Sequence, residues 1–264
     1  MITPLDAGPL RARLVAPHGP YAALDVVAST GSTNVDLVAA ARDGAPDRTV
    51  LIAEEQTAGQ GRRGRGWVSP GGGLYLSVLL RPDVPPARLP WTTLLAGVAL
   101  VRTARAFGVE AAVKWPNDLL VGEAKAAGVL AETVVGQGVV VGIGVNVGRL
   151  PAEVRPGPGG LPPTSFAEAG ADADRAEVAA TLLTELAALD AAWRAGGGEP
   201  GPLLDEYRAH CATLGKPVRV ELAGSAPLLG TAVDVRADGT LVVRGEAGDE
   251  HAVSAGDVVH LRVR

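Results

Sequence analysis

The sequence predicts an α/β (α+β) chain, with helices and strands mixed through about residue 213 and a small β-barrel over residues 214–264. Three observations predict it. Val178, Leu182, Leu186, Leu189 and Trp193 step by four, four, three and four, which lays one apolar stripe along a helix spanning Ala173–Ala195. Short apolar runs such as Thr49–Ala53 and Leu74–Leu80 alternate with helical stretches. After Gly215 the texture changes to short alternating runs with no helical period.

In chain order, residues 1–20 contain prolines and mixed polarity and read as an irregular arm. Leu24–Ala28 reads as a short strand. GSTNVDLVAAARDG reads as a helix, with Ser32 or Thr33 as N-cap and Gly44 as terminator. Arg88–Phe107 has helical spacing and ends at Gly108. Ala112–Trp115 is a short strand interrupted by Pro116. Val129–Val135 and Val139–Val147, joined by Gly136-Gln137-Gly138, suggest an antiparallel hairpin. Leu150–Gly170 is rich in Pro and Gly and reads as a loop. Pro202–Cys211 is a second, shorter helix opened by proline. In the tail, Val218-x-Val220-x-Leu222 alternates, Asp238-Gly239 is a hairpin turn before Leu241–Val243, and Ala252-Val253 and Val258-x-x-Leu261-x-Val263 complete the short strands. About 50 residues are marginal as an independent domain, so the tail is expected to pack on the larger region.

The chain is 47% hydrophobic and carries a net charge of −5, enough apolar material for a sizeable core. A general nucleic-acid or membrane-surface binder is usually basic, so any anion site must be local. A single cysteine, Cys211, excludes an internal disulfide framework, and His18, His210, His251 and His260 show no metal-ligand spacing. With no secretory leader pattern and no long apolar run, a soluble cytoplasmic protein is expected. Only three basic residues are lysine, Lys114, Lys125 and Lys216, against 21 arginines. Lys114 and Lys125 flank Trp115-Pro116-Asn117-Asp118. A lysine supplies a compact point charge that arginine does not reproduce, so the pair is a candidate site, with chance placement as the competing reading.

AGQGRRGRGW, residues 58–67, matches the Gly-x-Gly-x-x-Gly dinucleotide pattern at Gly59, Gly61 and Gly64. That pattern needs a following helix to hold a pyrophosphate, and Gly64–Gly73 cannot continue as one. Asp83 lies at the acidic spacing the pattern asks for, but among prolines rather than at the end of a second parallel strand. No GxxxxGK[ST] motif occurs. A solvated surface loop is one reading. Three like charges in an acidic chain, bracketed by a strand and Trp67, favour a phosphate or carboxylate clamp that becomes ordered when ligand binds.

Several motifs together resemble the biotin–protein ligase family: GSTN (31–34), AEEQTAGQGRRGRGW (53–67), LYLSVLL (74–80), VKWPNDLL (113–120) with KAAGVLAE (125–132), and GIGVNVG (142–148). Thr164-Ser165 is similar to a later Thr-Ser position of the family. The resemblance implies a mixed β-sheet flanked by helices (biotin/lipoate protein ligase-like) as a catalytic domain over 1–213, with an SH3-like C-terminal domain over 214–264. Some thirty residues before GSTN are too few for the winged-helix DNA-binding domain of some members, so a monofunctional type is expected. The implied reaction joins biotin to ATP as biotinyl-5′-AMP, releasing pyrophosphate. Biotin then passes to a lysine of the biotin carboxyl carrier protein domain of biotin-dependent carboxylases such as acetyl-CoA carboxylase, with no DNA or membrane partner. Lipoate–protein ligation and a non-catalytic biotin-binding module are the alternatives.

By that resemblance, Ser32, Thr33, Asn34 and Gln56 line the biotin site, with Gln60, Gly61, Arg62 and Lys125 closing over it. Ser32 also fits as a simple helix cap, and the two roles are compatible. Gln60 departs from the arginine of some relatives. Lys125 and Arg62 are the catalytic candidates, bridging the carboxylate and the α-phosphate, while Arg63 faces solvent. Arg65, Trp67, Lys114, Asn117, Asp118 and Asn146 are the nucleotide candidates, and Asp118 is a candidate for Mg²⁺, with a turn-forming carboxylate as its other reading. Gly142 and Gly144 let ligand approach the backbone. Two anions must meet in this chemistry, so cations and positioning are expected to carry the rate rather than a His or Cys constellation.

Overall fold

The computed structural model describes residues 3–152, 154–157, 160–222, 226–254 and 256–261. Seven strands form one mixed sheet in the order β1-β2-β3-β7-β6-β5-β4. They are β1 (Ala23–Thr30), β2 (Thr49–Gln56), β3 (Leu74–Leu80), β4 (Ala112–Lys114), β5 (Asp118–Val121), β6 (Ala124–Val134) and β7 (Gly138–Val145). Only β1 and β2 pair in parallel, and helix α2 (Thr33–Arg42) connects them. Helices α3 (Trp91–Ala106) and α4 (Arg175–Ala195) pack together, and α3 contacts the sheet at β4 to β7. The α4 stripe is buried along its whole length, as its spacing predicts. Helix α2 covers part of the opposite face, where Leu37 and Ala41 meet Leu79, Val134 and Val140.

Four expectations change. The first twenty residues are not an irregular arm. Asp6 caps helix α1 (Ala7–Leu14), and Leu10 and Leu14, four apart, are buried. Proline in the first turn, which a helix tolerates, masked the signal. Strand β5 was missed because it is four residues long. Strand β6 begins at Ala124 rather than Val129, and Val135 lies beyond it, 93% exposed at the hairpin tip. A β-bulge between Leu119 and Leu120 interrupts the β5–β6 pairing, with Asp118 opposite Gly128 and Leu120 opposite Lys125.

The tail forms a second, antiparallel sheet, β11-β10-β9-β8-β12. Its strands are β8 (Pro217–Glu221), β9 (Leu228–Val235), β10 (Leu241–Arg244), β11 (Glu250–Val253) and β12 (Asp257–His260). Val263 lies outside the described residues. The tail packs on the larger region as expected, and its apolar side chains join one continuous core with the first sheet and its helices. The Asp238-Gly239 turn makes the join. Gly239 has φ +83°, and the turn offers carbonyls to two buried tryptophans, Trp91 Nε1 to Ala237 O at 2.7 Å and Trp115 Nε1 to Gly239 O at 3.0 Å. Helix α5 (Pro202–Ala209) adds the Arg208–Asp234 pair. Among the described residues, no helix is long and apolar enough to cross a membrane.

One contact at this join is pH-sensitive. Thr213 Oγ1 accepts from Trp115 N at 3.0 Å and lies within hydrogen-bond distance of His260 Nε2, also at 3.0 Å. Burial, then the nearby charges of Lys114 and Lys216, push the His260 pKa down to about 4. The native state therefore binds less proton than the unfolded chain between pH 6.5 and 4, and stability contributed by neutral His260 is lost as pH falls through that window. Urea unfolding at pH 7 and pH 5 is expected to show this loss, and His260→Gln is expected to reduce it. An equal loss in both proteins would refute the assignment.

Candidate active site

All fourteen predicted site residues line one cavity of about 730 Å³ on the α2 face of the seven-stranded sheet: Ser32, Thr33, Asn34, Gln56, Gln60, Gly61, Arg62, Arg65, Trp67, Lys114, Asn117, Asp118, Lys125 and Asn146. The volume is that of an ordinary small-molecule site. Strand register sets what lies at and beneath its floor. Ser77, Gly142 and Leu130 form one cross-strand row, and Tyr75, Gly144 and Gly128 form the next. The glycines make room, but for protein side chains rather than for ligand. A Cβ on Gly142 would lie 2.1 Å from Asn34 Oδ1, and one on Gly144 would lie 2.6 Å from Trp67 Nε1. The Trp67 indole thus lies across the Gly144–Gly128 row, and its buried Nε1–H has no hydrogen-bond partner among the described residues.

One end of the cavity is polar and uncharged. Ser32 holds the N-cap position of α2 but its side chain makes no capping bond, which removes the cap as its side chain's occupation. Thr33 and Gln56 are bonded to each other, Thr33 N to Gln56 Oε1 at 2.9 Å. The other end is cationic. Asp118 Oδ1 lies 2.6 Å from Lys125 Nζ, and Asp118 Oδ2 lies 3.7 Å from Lys114 Nζ. The β5–β6 bulge sets this up. Lys125 and Gly128 are three apart and would face opposite sides of a regular strand, and the extra residue turns both toward Asp118. Lys125 Nζ also stands 5.1 Å from the centre of the Trp67 ring, a cation–π contact. Burial pushes the Lys114 pKa down, and Asp118 opposes that shift.

The glycine–arginine loop arches over the cavity, which Gln60, Gly61, Arg62, Arg65 and Trp67 line. It closes on itself through Gly61 N to Arg65 O at 2.7 Å and Trp67 N to Gly59 O at 2.8 Å. Arg63 takes a left-handed backbone, φ 57°, of the kind that collects at functional sites. The loop's anchor is Asp257 of the second sheet, which sequence reasoning missed. Arg65 holds both Asp257 oxygens, at 2.5 and 3.1 Å. Arg63 is exposed, as expected, and its guanidinium lies 3.3 Å from Asp257 and donates to Glu221 O. Arg62 donates to Gly256 O at 3.1 Å and Asn117 Oδ1 at 3.3 Å, and stands 4.0 Å from Asp257. Although burial opposes it, the Arg65 hydrogen bond and the three guanidiniums hold the Asp257 carboxyl below its usual range. Nothing in the local sequence of Asp257 marks it, since only sheet packing brings it here.

Two nucleotide candidates also do structural work. Asn117 Nδ2 donates to Val129 O at 2.9 Å. Asn146 Nδ2 donates to Thr164 O at 2.8 Å and reaches Lys125 O at 3.4 Å, tying the catalytic candidate to the 150–170 loop. That loop supplies Arg155, Leu161 and Pro163 to the cavity wall, a second contribution the sequence reading missed. Its signal was length, because a connection this long between a strand and a helix in a compact fold is usually functional.

Comparison with known proteins matches this arrangement. Residues 27–147 match the Biotin/lipoate A/B protein ligase family, and residues 213–261 match the Biotin protein ligase C terminal domain. A biotin–[acetyl-CoA-carboxylase] ligase of Mycobacterium tuberculosis is 43% identical over 98% of this chain and 97% of its own length. One from Paracoccus denitrificans is 35% identical over 84% of this chain and 95% of its own length. The solved biotin protein ligase of Aquifex aeolicus, in complex with biotin and ATP, superposes with a TM-score of 0.76 at 27% identity, covering 92% of this chain and all of its own. From this full-length similarity, and from the cavity on which the family motifs converge, the chain belongs to the biotin–protein ligase family.

Proposed function

We propose that the protein activates biotin with ATP and transfers it to a lysine of a biotin carboxyl carrier protein domain. The observation that carries this is the polarity of the cavity. An uncharged end (Ser32, Thr33, Gln56) suits a neutral ring, and a cationic end (Arg62, Arg65, Lys114, Lys125) suits a carboxylate meeting a phosphate. In the first step a carboxylate oxygen bonds to the α-phosphorus as the bond to pyrophosphate breaks. In the second, a carrier amine attacks the acyl carbon, loses a proton, and AMP leaves. Lys125 and Arg62 offset the repulsion of two anions, and Lys114 and Arg65 neutralise the leaving phosphates. The carboxylates that now pair these cations, Asp118 and Asp257, stand where the phosphates' negative charge would be felt. Trp67 covers the nucleotide side.

Mg²⁺ would supply charge neutralisation on the ATP phosphates. Asp118 does not fit as its ligand while paired with two lysines, and no group of three His, Cys, Asp or Glu residues capable of holding a metal occurs among the described residues. We take residues 1–213 as the catalytic unit and 214–264 as the smaller domain, supported by the segregation of the two sheets along the chain. A cytoplasmic setting accords with a carboxylase partner and with the single, buried thiol of Cys211.

ATP–pyrophosphate exchange is the test. Exchange is expected with biotin and not with lipoate, followed by labelling of a carrier domain. Exchange with lipoate, or none with biotin, would overturn the proposal.

A further inference from the structure

Beneath the uncharged end lies a polar layer that the functional reading does not use. Ser77 on β3 is fully buried and does not line the cavity. Its Oγ lies 2.7 Å from Asn34 Oδ1 and 2.8 Å from Thr33 Oγ1. Asn34 Nδ2 donates to Glu132 Oε2 at 2.6 Å and to Leu130 O at 3.2 Å. On the far side, Thr33 Oγ1 is 3.1 Å from Gln56 Oε1, and Gln56 Nε2 donates to Ser69 Oγ at 3.0 Å. Ser69 Oγ donates to Trp67 O at 3.2 Å.

Counting protons gives this chain a direction. A carboxylate and a backbone carbonyl only accept, so Glu132 and Leu130 O fix the amide nitrogen of Asn34 toward themselves. Asn34 Oδ1 then faces Ser77 and takes its single proton. At the other end the Trp67 carbonyl takes the Ser69 proton, so Ser69 Oγ accepts from Gln56 Nε2 and Gln56 Oε1 faces Thr33. Ser77 Oγ keeps free lone pairs, and at 2.8 Å it is the nearer acceptor for the Thr33 proton. With that proton drawn inward, Thr33 Oγ1 is an acceptor toward the cavity, and Gln56 Oε1, which accepts from Thr33 N at 2.9 Å, keeps a second lone pair as the other acceptor.

We propose that Ser77 and Glu132 are positioning residues for substrate selection, fixing Thr33 and Gln56 as an acceptor pair that selects a ring carrying two N–H donors. A cyclic urea meets that demand, whereas a dithiolane ring offers no donor. Sites built around a specific hydrogen bond reject analogues lacking it more strongly than sites defined by apolar shape, because buried acceptors are left unpaired. Gly142 belongs to the same device, since only the absence of a Cβ lets Asn34 sit between Ser77 and Leu130. This inference rests on the proposal that biotin's ring occupies the Ser32–Gln56 end.

The test is steady-state kinetics of Ser77→Ala and Glu132→Gln. In Ser77→Ala the Thr33 proton turns to Gln56 Oε1 and one acceptor is lost. The KM for biotin is expected to rise about tenfold, the equivalent of one hydrogen bond. The kcat and the KM for ATP stay within about twofold, because the cationic end is untouched. A biotin analogue methylated at one ureido nitrogen is expected to lose less affinity in Ser77→Ala than in the unsubstituted protein. Glu132→Gln, at a half-buried position outside the cavity, frees Asn34 to rotate and is expected to raise the biotin KM in the same direction by less. It decides the matter alone if Ser77→Ala does not fold. An unchanged biotin KM, or equal rises for biotin and ATP, overturns the inference. Absence of biotin-dependent exchange in the unsubstituted protein would instead remove the functional reading beneath it.

Discussion

Lys125→Ala is expected to lower biotin-dependent ATP–pyrophosphate exchange by about 10²- to 10³-fold, the loss typical of a single preorganised transition-state donor. The geometry carries this expectation. The ammonium is held 2.6 Å from Asp118, over the Trp67 ring, and its strand is fixed by Lys125 N to Pro162 O and Thr164 N to Lys125 O. A charge held before substrate arrives needs no reorganisation when negative charge builds between carboxylate and phosphate. Arginine is not expected to restore the rate. Lys125 Cε already passes within 3.2 Å of where a Cβ on Gly128 would sit, and a planar guanidinium is broader than an ammonium. Exchange assays with circular dichroism as the folding control check this. A folded Lys125→Ala protein with normal adenylation would remove Lys125 from the chemistry.

The second large effect is expected at Arg62. Arg62→Ala should reduce kcat/KM by about 10²-fold, whereas Arg63→Ala, one residue on, should change it by less than about threefold. Both arginines belong to the same loop and both approach Asp257, so sequence adjacency does not separate them. The cavity does. Arg62 lines it beside Asn117, while Arg63 reaches along the second sheet to Glu221 O. Burial pushes the Arg62 pKa down and Asp257 opposes that shift, so an incoming phosphate takes over a pairing that the protein already supplies. Equal effects at the two positions would mean that the loop acts only as a general positive surface.

Legibility varied along the chain for identifiable reasons. The α4 stripe and β3 were readable because burial on one helical face, or in a central strand, writes a period or an apolar run directly into the sequence. Helix α1 and strand β5 were not, because each is short and held by tertiary contacts rather than by propensity. At the site, the fourteen predicted residues were legible because their polar, charged, glycine or aromatic character stands out within the motifs. Asp257, Ser77 and Glu132 were not. Asp257 comes from the other end of the chain, Ser77 reads as a lone serine inside an apolar strand and Glu132 as a polar residue beside Thr133 near a strand end, with no local mark of what they touch.

The sequence by itself determined which groups are available, glycine and arginine before Trp67, lysines around WPND and alternating glycines in GIGVNVG, and the resemblance these motifs carry implied the reaction class. Tertiary structure decided how those groups face one another. The bulge opposite Leu119 and Leu120 turns Lys125 toward Asp118, and the second sheet brings Asp257 to the arginines. Both depend on register and docking. A one-residue change in register reverses every side chain beyond it, and docking is set by a core that spans both sheets. A motif records which residues are present, while the direction of each charge is fixed only when strands pair.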